Sequence, residues 1–189
     1  QKDLKYPVHL GGLSALSLSG LGQYVLLKET LTFFNTSEKK KRLPKWILKV
    51  VEHFSYYQYH LFSNNDLGLK NHKVDGVVIL ISTPERALLE CLALVPHDFS
   101  FQHASELVDN ARLIHPKIIQ SLLEDCRYIK VKRLFLYLAE MHNIPCFSSL
   151  NLSKINLGEG KRKIGTGGCY NAKYKISVPS LDNEQEVEV

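Results

Sequence analysis

No run of about 18 uninterrupted apolar residues occurs in the 189-residue chain, so no membrane-spanning helix is expected. The opening Gln1-Lys2-Asp3-Leu4-Lys5 lacks the basic-then-apolar layout of a secretory signal, and a start on Gln rather than Met suggests a piece of a longer product. Paired cysteines are missing too. Cys91, Cys126, Cys146 and Cys169 lie 35, 20 and 23 residues apart with no C-x-x-C, which excludes a zinc ribbon and leaves four free thiols in a cytoplasmic, reducing compartment. A chain of this size buries enough surface to need no disulfide staples.

Catalytic patterns are equally scarce. Eight histidines yield neither H-E-x-x-H nor His-x-His, and His97, Asp98 and His103 straddle a helix break without sharing a face. No G-x-S-x-G nucleophile elbow occurs, and Ser14 and Ser17 sit in a helix of ordinary composition. The phosphate-loop pattern G-x-x-x-x-G-K-[ST] fails around Gly160-Lys161, because position 155 is Ile and position 162 is Arg. Asp75 stands alone at the mouth of an apolar run, beside Gly76, and reads as a turn residue. Neither a catalytic centre, nor a metal site, nor a cofactor is expected.

Charge is what the chain does have. Lys and Arg number 24 against 19 acids, for a net +5, and Asp182, Glu184, Glu186 and Glu188 crowd the final nine residues. Without that tail the body carries 24 bases against 15 acids, which favours a polyanionic partner, with nucleic acid first.

Periodicity gives the architecture. Residues 9–21 read as a helix with Leu13 and Leu16 on one face, ended by Gly20 and Gly22. Tyr24–Leu27 and Leu31–Phe34 look like paired strands, Pro44 opens a short helix carrying Trp46, Ile47 and Val50, and the aromatic stretch Phe54–Phe62 reads as a strand. Val77–Ile81 is an unbroken apolar run, expected to form a central strand buried on both faces. A helix then begins at Pro84 under a Thr83 cap, with Arg86 placed to pair with Glu90, and Pro96 stops it. Further helices follow at about 101–113, 116–126 and 130–142. Gly158–Gly168, with five glycines in eleven residues, reads as a loop, and Tyr174–Val178 as a last strand before the acidic tail at 181–189. The sum is an α+β fold, a small mixed sheet packed with a helical block. It forms one domain over 1–180 or two packed lobes at about 1–82 and 83–180.

Two clusters of base are candidate contacts. Lys130, Lys132 and Arg133 gather at the first turn of the 130–142 helix, where cations oppose the macrodipole, so folding alone does not favour them there. Lys161, Arg162 and Lys163 lie in the glycine loop, beside backbone N–H groups suited to a phosphate or carboxylate. The connection between them is short enough to bring all six into one basic patch. The alternatives are an Arg133 paired internally with Glu85 or Glu90 and a glycine loop that is only a turn.

Five stretches together resemble the AbiEi family, the antitoxins of type IV abortive-infection toxin–antitoxin pairs. They are His9-Leu10-Gly11-Gly12-Leu13-Ser14-Ala15-Leu16, Ser82-Thr83-Pro84-Glu85-Arg86-Ala87 through Glu90, Val131–Leu136 through Glu140, Asn156–Arg162, and Gly167–Tyr174. The resemblance implies an antitoxin and transcriptional regulator that counters a nucleotidyltransferase-like toxin without a stable complex. It also implies a winged-helix domain ahead of this region that binds operator DNA. No catalytic residue is implied. A nucleic-acid-processing enzyme with an unrecognised site and a plain protein-interaction domain remain the competing readings.

Overall fold

The structure, a computed structural model, describes residues 7–20, 30–35 and 53–181. The expected strand at Tyr24–Leu27, the helix from Pro44, the Lys39–Arg42 run and the acidic tail lie outside the described residues.

A five-stranded mixed sheet has the order β3-β2-β1-β5-β4. Its members are β1 (Val8–Leu10), β2 (Leu31–Asn35), β3 (Phe54–Tyr57), β4 (Leu69–Val74) and β5 (Val77–Ser82). β1 runs antiparallel to β2 and parallel to β5, so a strand of three buried residues holds the middle. That corrects the sequence reading, in which Val77–Ile81 was central and Val8–Leu10 belonged partly to a helix. The helix α1 (Gly12–Leu18) starts only after the Gly11-Gly12 pair. The aromatic strand is also shorter than expected, since β3 ends at Tyr57.

β5 is a strand, but it is not buried on both faces. Val77 is 62% and Val78 55% exposed, while Ile81 and Ser82 are fully buried. The β-branched run reports a preference for extended backbone, whereas burial depends on what lies over it. Only the Ser82 end enters the core, where α2 (Pro84–Leu94) begins. The other end leaves the sheet as a hairpin with β4. Its turn is Asp75-Gly76, both at positive φ (47° and 81°), the geometry of a two-residue type I′ connection.

The helical block follows as α2, α3 (Phe101–Asn110), α4 (Pro116–Asp125) and α5 (Ile129–Met141). These agree with the sequence periodicity to within a few residues. α2 is buried on nearly its whole circumference, from Glu85 to Leu94, so it forms the axis of the domain. Thr83 occupies its N-cap position, but its hydroxyl makes no cap bond. A second sheet, ordered β6-β8-β7, closes the chain with β6 (Arg162–Lys163), β7 (Cys169–Asn171) and β8 (Ile176–Val178). The glycine segment is therefore a loop with a short strand inside it. One cluster of buried apolar residues runs from Ala15 through α2 and α5 to Val178.

All four cysteines are free, with Cys91, Cys126 and Cys146 buried and Cys169 exposed. Burial pushes the Cys126 and Cys146 thiols up to about 11 and Cys91 further still. Native-state alkylation is therefore expected to label Cys169 alone, with the other three reacting only after unfolding. Intact-mass counting of adducts checks this.

Candidate nucleic-acid interface

Two buried charged side chains organise the domain, and the sequence stretches that looked familiar meet at them in pairs. The first is Glu90 on α2. Its carboxylate lies 2.7 Å from His9 Nε2 and accepts from Arg86 Nε at 2.9 Å. Ser82 Oγ donates to it at 2.8–3.0 Å, and the Gly12 backbone N–H at 3.0 Å. An ionised carboxylate only accepts, so His9 must carry its proton on Nε2. Burial alone would raise the Glu90 pKa, but His9 and then Arg86 outweigh it and hold it down at about 2. Arg86 spends a second nitrogen on the Asn65 and Leu67 carbonyls and lies 4.8 Å from the Phe62 ring centre. Gly11 is there because a Cβ would stand 2.3 Å from Glu90 Oε2.

The second is Arg133 on α5, 1% exposed. Its Nε donates to the Leu157 carbonyl at 2.9 Å and Nη2 to Gly158 at 3.0 Å. Nη1 donates to the carbonyls of Gly160, at 2.7 Å, and Lys175, at 2.9 Å. The guanidinium fork thus clamps the glycine loop onto the start of β8. Burial, and then the neighbouring Arg162, lower its pKa from the ordinary value, though an arginine keeps its proton at any physiological pH.

The two predicted cation clusters do come together, but not as one surface patch. Arg133 faces inward, and neither Glu85 nor Glu90 is its partner. Lys132 is 3% exposed, and half-buried Lys130 donates to the Val95 carbonyl. Burial lowers the pKa of both lysines. α5 is covered beyond the apolar stripe that periodicity revealed, so residues between the stripe positions are covered too. Of the six candidates, Lys161, Arg162 and Lys163 are exposed. None of the three is ion-paired with a carboxylate among the described residues. Lys161 Nζ lies 4.9 Å from the Tyr170 ring centre. Gly168 (φ 89°) completes the loop where a Cβ would collide with the Val178 carbonyl.

Sequence inspection missed one further constellation, Ser105 on α3 with His142 at the end of α5. Ser105 Oγ is 2.8 Å from His142 Nε2, and His142 Nδ1 is 3.7 Å from Asp109. The order resembles a hydrolytic triad, but Ser105 is 2% exposed and Asp109 is bonded to Arg112. A nucleophile must reach its substrate, so this group ties α3 to α5. The signal was invisible because Ser105 and His142 are 37 positions apart. A cleft of about 140 Å³ between α1, β2, β3 and the end of α2 is well below the roughly 300 Å³ of a small-molecule site. Among the described residues, no group of three His, Cys, Asp or Glu could hold a metal ion, and no helix is long and apolar enough to cross a membrane.

The geometry defines an α+β domain built around two buried charged pins, with a small second sheet on which Arg162 and Lys163 are exposed. The sequence model of the AbiEi antitoxins, transcriptional regulators of type IV toxin–antitoxin systems, matches residues 28–179, and the chain belongs to that family. The family is a regulatory one. No curated protein matches the chain. Among solved structures, the RV2827C protein from Mycobacterium tuberculosis shares the fold, with a TM-score of 0.64 at 17% identity over 93% of this chain. The chain spans 63% of the length of that protein.

Proposed function

We propose that this domain is the antitoxin portion of a regulator that opposes a nucleotidyltransferase-like toxin without forming a stable complex with it. On this reading a winged helix ahead of residue 1 reads operator DNA, and the present domain adds phosphate contacts through Lys161, Arg162 and Lys163. The observation that carries the reading is the exposure of three consecutive cations, unpaired with any described carboxylate, on a loop that Arg133 holds in place.

The test is the triple variant Lys161→Ala, Arg162→Ala, Lys163→Ala. Its melting temperature is expected to stay within about 2 °C of the parent, because all three side chains are exposed and none makes an ion pair with a described carboxylate. Its log–log salt dependence of duplex-DNA binding should flatten by up to about 0.9 per lost phosphate contact, close to 3 in all. Rescue of cells expressing the partner toxin should fall with it. Unchanged binding and full rescue by the stable triple variant would remove the basic surface from the mechanism.

A further inference from the structure

Register in the second sheet fixes which side chains share its outer face. Lys163 and Tyr170 both lie opposite Ser177, from the two sides of β8. Partners in register point to the same face, and successive residues alternate. Ile176 and Val178 are buried, so their face is the inner one, and Lys163, Ser177 and Tyr170 form a row on the outer one. Lys161, two residues before Lys163, returns to this face, and its ammonium sits over the Tyr170 ring. Tyr170 remains 45% exposed, so its ring is accessible from the outer face. The row carries no acid.

We infer that this face binds unpaired nucleotides: Tyr170 stacks on a base, while Lys161 and Lys163 neutralise the flanking phosphates. The inference rests on the basic-surface reading above and specifies its ligand. An aromatic ring on an exposed sheet, flanked by lysines, suits a strand whose bases are free to stack, because every base has a π face. In a duplex the bases are already stacked and a tyrosine on a flat sheet gains nothing from them, whereas the lysines serve equally well. An acidic protein would use the lysines and leave the ring idle. Tyr170 is therefore the residue that separates the three ligands.

The experiment uses labelled 20-nucleotide oligouridine and oligothymidine, a 20-base-pair duplex and polyglutamate, titrated at one salt concentration against the parent protein, Tyr170→Ala, Tyr170→Phe and the triple cation variant. The parent should bind a single strand more tightly than the duplex. Tyr170→Ala should lose about tenfold on single strands and less than twofold on the duplex. Tyr170→Phe, which keeps the ring, should stay within twofold on all ligands. The better of the two single strands assigns the natural ligand to RNA or DNA, and either supports the inference. Preference for the duplex, an equal loss by Tyr170→Ala on single and double strands, or polyglutamate binding as tight as any oligonucleotide would overturn it. Loss of binding by the triple variant alone would leave the charge reading standing without the stacking one. Undiminished binding by the triple variant would remove both. Thermal melts of Tyr170→Ala and Tyr170→Phe keep misfolding from being read as loss of contact.

Discussion

Glu90→Ala is expected to destabilise the domain by about 3–5 kcal/mol, the range for breaking a buried ion pair by removing one partner. The loss comes from what is left behind. His9, Arg86 and Ser82 would keep their places at the junction of β1, α1, β5 and α2, with the protons they now direct at Glu90 left without an acceptor. At the few degrees per kcal/mol typical of a chain this size, the melting temperature should fall by about 10 °C or more. The pH dependence is a second reading of the same site. A carboxyl held at about 2 in the folded state, against 4.5 when unperturbed, contributes stability fully above about pH 4.5. That contribution, on the order of 3 kcal/mol, disappears as the pH falls through about 2. Urea midpoints measured across this window should therefore drop steeply for the parent and less so for Glu90→Gln, which has no proton to take up. Parallel curves would mean that the Glu90 carboxylate is not held ionised by its neighbours.

Arg133→Ala should cost about 2–4 kcal/mol, because the carbonyls of Leu157, Gly158, Gly160 and Lys175 lose one shared donor. Arg133→Lys should recover only a small part of that. An ammonium has three donors at a point, and the four acceptors are spread around a planar fork. Both variants should become sensitive to trypsin at Lys161–Lys163 under conditions in which the parent resists cleavage there. Both should also weaken nucleic-acid binding although Arg133 itself never meets solvent. A variant with normal melting and an uncut loop would show that the clamp is dispensable.

The difference between these two sites marks how far the sequence could be read. Long periodic elements were legible: α2 through α5 repeat their apolar residues over nearly three turns or more, and each lies within a few residues of its expected range. The Arg86–Glu90 pair was legible because it depends only on helix geometry. β1 was not, since three residues carry no period and its neighbours in the sheet come from positions 31–35 and 77–82. The charge at the start of α5 stands out in the sequence as something the macrodipole does not favour, but the inward course of Arg133 does not, because four backbone carbonyls leave no trace in side-chain identities. His9 was overlooked for a related reason. A search for ligands looks among near neighbours, and its partner Glu90 lies 81 residues away. Glycines carry a trace of such distant partners. Gly11 and Gly168 stand where another chain atom approaches too closely for a Cβ.

The second sheet has strands of two, three and three residues, too short to persist without outside support. It is held to the helical block by the Arg133 clamp, by the Tyr174 hydroxyl donating to Glu140, and by Ile164, Ile176 and Val178 in the core, and with so little sheet of its own it should open as a unit before the helical block does. Amide hydrogen exchange would then divide the molecule into two tiers, with residues 157–178 exchanging at a lower free energy than α2 and α5. Any ligand that engages the face must first find it formed, and by binding it raises protection in that tier alone, by RT ln(1 + [L]/Kd). The surface that carries the charge is thus also the part of the fold whose population a partner can most easily change.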